Sequence, residues 1–110
     1  MLEITRGTTP ELDILLDNTK IIEDAEITFS QYVNGKTIKV IKRLSKDDGV
    51  VMHEGFIRVR LSEEETFSFG VGFCQLQVRV LSVNGNIGGS DAENIKILKC
   101  LSEERLTGDN

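Results

Sequence analysis

The stretch that decides the fold is Cys74-Gln75-Leu76-Gln77-Val78-Arg79-Val80-Leu81, in which apolar and polar residues alternate. A period of two residues is typical of a β-strand with one face in the core and the other in water. Val83-Asn84-Gly85-Asn86 follows after Ser82. Asn-Gly is a strong signal for a two-residue hairpin turn because both residues accept positive φ. The segment therefore predicts a strand that ends in a tight turn and is followed by a partner strand.

The same alternation occurs along much of the remaining chain. Residues 25–32 and 37–44 flank Asn34-Gly35, and we expect them to form a second hairpin. A one-residue bulge in the second of these runs would bring Ile41 to the buried face. Shorter runs of the same kind lie at 11–16, 50–52, 56–61 and 95–97.

About seven short alternating strands, separated by glycine turns, predict an all-β domain of the immunoglobulin-like antiparallel β-sandwich type. A small closed barrel is the alternative architecture. The single proline, Pro10, precedes all of the runs, so none of them contains a residue that interrupts a strand ladder. We expect one domain over residues 1–101 and a polar C-terminal tail over residues 102–110.

Residues 62–67 depart from the strand pattern. Ser62 is followed three residues later by Glu65, which is the capping-box arrangement at the start of a helix. We therefore predict one short helical turn that connects two strands across the end of the sandwich. Its three consecutive glutamates suit the positive end of the helix dipole. An acidic binding site is the alternative interpretation.

Composition narrows the classes of partner. The chain has 110 residues and a net charge of −5, which argues against binding of nucleic acid or anionic lipid through a positive field. No apolar run approaches the roughly 20 residues needed to cross a bilayer. The first residues also lack the long apolar stretch of a secretory signal. We expect the protein to be cytoplasmic during synthesis, with neither a nucleic-acid nor a membrane partner.

No group of residues predicts a catalytic or metal site. His53 is the only histidine, and Cys74 and Cys100 are too far apart for a Cys-x-x-Cys motif. Simple pairing across the Asn-Gly turn places Cys74 opposite a residue near Ile95, and a glycine bulge would move its partner to about Ile97. Either register leaves Cys100 out of reach, so we expect two free thiols and no disulfide. We predict that the protein is not an enzyme and has no cofactor.

Long polar side chains suggest one candidate contact surface. Arg58 and Arg60 project from one face of their strand, and Gln75, Gln77 and Arg79 project from one face of another. If the two faces coincide, these side chains form one polar strip. The strip is either a solvated sheet face or a contact surface for another acidic subunit, since arginine is enriched at interfaces. It contains no aromatic residues to stack against nucleic-acid bases.

The opening Ile4-Thr5-Arg6-Gly7-Thr8-Thr9-Pro10 resembles the start of small proteins encoded among the structural genes of prophages in Gram-positive bacteria. The segments Val78–Gly85 and Lys99–Leu101 resemble later parts of the same proteins. More distantly, the layout is similar to the N-terminal immunoglobulin-like domain of phage baseplate upper proteins. The resemblance is strongest at the two ends of the chain.

This resemblance implies a virion- or tail-associated structural module whose partners are other phage structural proteins and further copies of itself. It brings no catalytic residues. Gly7 would allow a tight bend, Pro10 would set the direction of the first strand, and Arg6 is either structural or a further contact residue. A different class of function, a carbohydrate-binding or adhesin-type module, would need exposed aromatic residues, of which Tyr32 is one candidate.

Overall fold

The computed structural model describes residues 2–106, and within them nine strands form two packed sheets. The strands are β1 (Leu2–Thr5), β2 (Glu11–Leu15), β3 (Ile22–Val33), β4 (Lys36–Arg43), β5 (Val50–His53), β6 (Phe56–Arg60), β7 (Gly72–Ser82), β8 (Ile87–Gly89) and β9 (Glu93–Leu98). One helix, α1 (Glu63–Ser68), and two single 3-10 turns, Thr19–Ile21 and Leu44–Lys46, lie between strands. The predicted all-β sandwich is confirmed.

The larger sheet has the strand order β1-β9-β7-β3-β4, with β8 paired to β7, and the smaller sheet has the order β2-β6-β5. Two strands, β1 and β8, are additional to the seven that the sequence predicts. β1 runs parallel to β9, whereas every other pair is antiparallel. The larger sheet is therefore mixed, and the wholly antiparallel arrangement that we expected is wrong at this one edge.

Alternating residues of both sheets meet in a single core. The larger sheet contributes Ile27, Phe29, Cys74, Leu76 and Ile95, and the smaller contributes Leu12, Ile57 and Val59, all buried. The β3–β4 pair keeps one register from Val33↔Lys36 to Glu26↔Arg43, without the suggested bulge. Ile41 consequently lies on the outer side of the sheet and is 51% exposed. The expectation that a shift would bury Ile41 is wrong.

The first predicted hairpin turn and the cysteine register are confirmed. Asn34 and Gly35 both have positive φ, at 52° and 75°. The second turn is at the predicted position but is longer than two residues, since only Gly85 of the Asn84-Gly85 pair has positive φ, at 90°, and the Ser82 N–H donates to the Asn86 carbonyl over 2.9 Å. Cys74 pairs with Ile95, as simple pairing across the second turn predicts. Both cysteines are free.

The predicted helical turn is also present, with both hydrogen bonds of a capping box. The Glu65 backbone N–H donates to Oγ of Ser62 over 3.1 Å, and the Ser62 backbone N–H donates to Oε1 of Glu65 over 2.8 Å. Oε1 of Glu65 also lies 2.8 Å from Nζ of Lys42, a buried lysine on β4. The capping glutamate thereby ties α1 to the larger sheet.

The segment between β1 and β2 packs directly against α1. The Gly7 backbone N–H donates to Oγ1 of Thr66 over 2.9 Å, and that hydroxyl donates to the Thr8 carbonyl over 2.8 Å. Thr66 is fully buried. Gly7 has φ of +79°, and a Cβ there would lie 2.9 Å from Cε1 of Phe67. The tight bend predicted at Gly7 is therefore present, and both its backbone conformation and its neighbours favour glycine.

Asp24, near the start of β3, bonds to the end of β4 and to the 3-10 turn that follows it. Its carboxylate accepts from Nη2 of Arg43 over 2.7 Å, and from the backbone N–H and hydroxyl of Ser45 over 3.0 and 2.9 Å. Burial by itself would raise the pKa of Asp24, but the bonds from Arg43 and Ser45 outweigh it and hold that pKa below its ordinary value of 3.8.

None of the helices in residues 2–106 is both long and apolar enough to span a membrane. In the C-terminal region, Leu106 donates its backbone N–H to the Glu63 carboxylate over 2.7 Å. Residues 107–110, the last part of the predicted tail, lie outside the described residues.

We expect Gly7→Ala to lower the free energy of unfolding by about 2 kcal/mol or more, since the new Cβ combines positive φ with a clash against Phe67. Urea denaturation followed by far-UV circular dichroism measures the change. Gly88→Ala is the matched control, because its φ is not positive and the nearest atom, Cγ2 of Val80, is 3.9 Å away. Equal losses in the two variants would contradict the role given to Gly7.

The lowered pKa of Asp24 predicts stability that is present at neutral pH and is lost as pH falls through the folded-state pKa, below 3.8. Asp24→Asn should be less stable than wild type at neutral pH, and the difference should shrink on acidification. Urea midpoints measured at a series of pH values test this. Asp91→Asn, at an exposed position, is the control. A difference that stays constant down to the lowest pH would rule out the assignment to Asp24.

Candidate functional site

The sequence-predicted contact residues lie on three different parts of the domain. Arg58 and Arg60 belong to β6 of the smaller sheet, whereas Gln75, Gln77 and Arg79 belong to β7 of the larger one. The apolar residues of both strands enter the shared core, so the polar residues between them point to opposite sides of the sandwich. The two faces therefore do not coincide, and these side chains do not form one polar strip.

On the smaller sheet, Arg58 makes contacts within the protein. Its guanidinium donates to Oδ1 and Oδ2 of Asp13 over 2.7 and 3.1 Å, and its Cζ lies 5.6 Å from the centre of the Phe56 ring. The bond to Arg58 lowers the pKa of Asp13. His53 stacks on the same Phe56 ring, with 4.7 Å between the two ring centres. Arg58, Asp13, Phe56 and His53 are thus paired with one another, and the exposed apolar side chains of Leu15 and Val51 lie beside them.

Arg6 also has several partners within the domain. Nε donates to the Phe69 carbonyl over 2.7 Å and Nη2 donates to the Phe67 carbonyl over 3.0 Å, at the C-terminal end of α1. Nη1 donates to both carboxylate oxygens of Glu103 over 2.9 Å. These carbonyls are those that a helix end leaves without intrahelical donors, so Arg6 acts here as a C-terminal cap.

A second candidate surface is the outer face of the larger sheet, which we define by the side chains that alternate with the core residues of β3, β4 and β7. The cross-strand register places these side chains in rows. The first three rows are Arg43-Glu26-Arg79, Ile41-Thr28-Gln77 and Lys39-Ser30-Gln75. In the first, Arg79 donates to Oε1 of Glu26 over 2.8 Å. In the second and third rows the β3 and β7 positions are consequently polar but uncharged, whereas the β4 positions are Ile41 and Lys39.

Two exposed aromatic residues extend the outer face beyond the last of these rows. Ser30 pairs with Gln75, so Tyr32 and Phe73, each two residues further along its strand, continue the same side of the sheet. Tyr32 is 76% exposed and Phe73 is 59% exposed. The flanking strands place Thr37 beside Tyr32 and Lys96 beside Phe73. The outer face therefore combines an aromatic end with neutral polar side chains in the middle of β3 and β7.

Sequence reasoning missed Phe73 on this face. The alternation of Cys74–Leu81 extends one residue backward and assigns Phe73 to the side of Gln75 and Gln77, so the signal was present. The β3–β7 pairing, which brings Tyr32 and Phe73 to the same end of the sheet, joins residues far apart in sequence and was not visible.

The chemistry that these groups can perform is limited. Within residues 2–106, no group of three or more histidine, cysteine, aspartate and glutamate side chains is arranged to hold a metal ion. Cys74 is buried, and burial raises the pKa of its thiol to about 11. At neutral pH it is therefore almost entirely protonated and a poor nucleophile.

We compared the chain with protein-family models and with curated proteins, and neither comparison gave a match.

The cysteine environments predict unequal reactivity. In the native protein near neutral pH, a thiol reagent should modify Cys100, which is half-buried, much faster than Cys74. Mass spectrometry of the labelled peptides measures the two rates. In denaturant the rates should become similar, since burial no longer protects Cys74. Equally fast labelling of both thiols in native protein would contradict the described packing.

Proposed function

We propose that this domain is a non-enzymatic structural module of a phage or prophage particle, associated with the tail or baseplate, that acts through protein–protein contacts. The observation that carries the contact function is the pair of exposed aromatic residues, Tyr32 and Phe73, on the outer face. The assignment to a phage particle rests on the sequence resemblance of the 4–10, 78–85 and 99–101 segments.

Large exposed aromatic side chains favour an interface role on physical grounds. Tyrosine and phenylalanine are enriched in protein interfaces, where they bury a large area at a low cost in side-chain entropy. Tyr32 and Phe73 lie next to neutral polar side chains, Ser30 and Gln75, that can hydrogen-bond to a partner. An apolar centre beside polar neighbours is the usual composition of a contact surface.

The proposal also gives the resembling N-terminal segment a structural task. Arg6, Gly7 and Thr8 connect the two sheets and contact α1, and none of them projects a free reactive group. Residues that stabilise the fold are what we expect in a resembling segment if the domain is a structural module. The outer face lies on β3, β4 and β7, away from this segment, and is therefore available to a partner.

One specific observation favours a second candidate, a carbohydrate-binding or adhesin-type module. Two exposed aromatic rings beside glutamine and threonine side chains offer both stacking and hydrogen bonding to a sugar. The absence of tryptophan from the sequence and its single tyrosine rank this candidate lower. A glycan array separates the two, since binding that depends on Phe73 would favour the second candidate.

The test of the proposed contact surface is the double variant Tyr32→Ser/Phe73→Ser. Light scattering across a concentration series gives the mass of the wild type, and quantitative proteomics of phage particles from cells that carry the gene gives its incorporation. We expect the double variant to lose assembly or incorporation at least tenfold, because removal of central aromatic anchors costs about 2 kcal/mol or more.

Leu15→Ser/Val51→Ser is the matched control, since these two apolar side chains are 85% and 52% exposed but belong to β2 and β5 of the smaller sheet. Circular dichroism should show both double variants to be folded. Unchanged assembly and incorporation in Tyr32→Ser/Phe73→Ser would refute the contact role of the outer face. Absence of the wild-type protein from purified particles would refute the assignment to a phage particle.

A further inference from the structure

We propose that the open edge of β4 is a docking site for an acidic extended segment of a partner protein, which would add to the larger sheet as a further strand. This inference rests on the proposed function and names the chemistry of the partner. It is carried by two independent properties of β4, its charge and its unpaired backbone.

The charge of β4 differs from that of the rest of the chain. The strand holds four of the 13 lysine and arginine residues and none of the 18 aspartate and glutamate residues. Lys42 is paired with Glu65 and Arg43 with Asp24. Lys36 and Lys39 are exposed and have no ion-pair partner within residues 2–106. An acidic protein therefore presents two free cations along one sheet edge, which is complementary to an acidic segment.

The backbone of β4 is available along the same edge. At eight residues, β4 is the longest edge strand in residues 2–106, and it pairs only with β3. The two-residue turn makes Val33 and Lys36 a hydrogen-bonded pair, and every second pair that follows is of the same kind. The N–H and C=O groups that face outward are then those of Thr37, Lys39, Ile41 and Arg43. Such a row is the template that strand addition uses.

A second copy of the same strand is a poor occupant. Antiparallel pairing of two β4 edges would place lysines of both copies along one junction, and like charges on paired strands destabilise the pair. Lysine on an edge is one of the means by which proteins avoid such self-pairing. An acidic strand would remove this repulsion and would also find apolar contacts, since Ile41 and Tyr32 are exposed beside the edge.

The test uses the full chain and two synthetic peptides, one in which glutamate alternates with threonine and one with lysine in place of glutamate. Titration followed by NMR measures affinity and identifies the perturbed amides. We expect binding of the glutamate peptide only, with the largest shifts at Thr37, Lys39 and Ile41. Lys36→Glu/Lys39→Glu should weaken binding about tenfold or more. Lys20→Glu/Lys99→Glu, which carries the same net charge, should bind as the wild type does.

A proline at position 41 separates strand addition from simple charge attraction. Ile41→Pro removes one outward N–H without touching the bonds to β3, and proline is tolerated on edge strands in this orientation. It should abolish binding of the glutamate peptide, whereas Ile41→Thr, which keeps the N–H, should retain it. NMR spectra of the free variants establish that both are folded.

Three results would overturn the inference: failure of the glutamate peptide to bind, undiminished binding to Ile41→Pro, or self-association that Lys36→Glu/Lys39→Glu abolishes. The last would assign the edge to a second copy. Failure here is distinguishable from failure of the proposed function. Assembly that depends on Tyr32 and Phe73 but is unchanged in the β4 variants would leave the contact role of the outer face intact.

Discussion

The side chain of Arg6 holds together the two segments that pass between the sheets at α1. Its guanidinium bonds to the Phe67 and Phe69 carbonyls at the end of α1, while its backbone N–H donates to the Leu98 carbonyl over 3.0 Å. Arg6 thus connects the segment between β1 and β2 to the segment between β6 and β7 and to strand β9. Because Gly7 and Thr8 bond to Thr66 at the same place, the relative position of the two sheets depends on this contact.

This arrangement leaves the two outer sides of the sandwich with different characters. On the smaller sheet, Arg58, Asp13, Phe56 and His53 satisfy one another. On the outer face of the larger sheet, the ion pairs within residues 2–106 involve Arg43 and Arg79 in the row of Glu26, and the face ends in exposed aromatic residues and an open basic edge. A partner that binds the larger sheet would have few existing ion pairs to break, which lowers the desolvation cost of association.

Much of the local structure could be predicted because it depends on residues close in sequence. Apolar patterning identified seven of the nine strands in residues 2–106, Asn-Gly identified the position of both hairpin turns, and the spacing of Ser62 and Glu65 identified the helix cap. β8 was missed because it is only three residues long, too short for a period of two to be recognised. β1 is as long as β5, but it acquires its strand conformation from parallel pairing with β9, nearly the whole chain away.

By itself, the sequence determined the position of seven strands and their turns, and which side of each strand is apolar. It could do so because successive side chains of a strand point to opposite faces, so that a buried face places an apolar residue at every second position. Only the tertiary structure decided which sheet each strand joins. That decision separated Arg58 and Arg60 from Gln75, Gln77 and Arg79, and it brought Tyr32 to the same end of the sheet as Phe73. The physical reason is that a period of two residues fixes the face that a strand buries but contains no information about its neighbours, which are set by packing and by contacts such as those of Arg6.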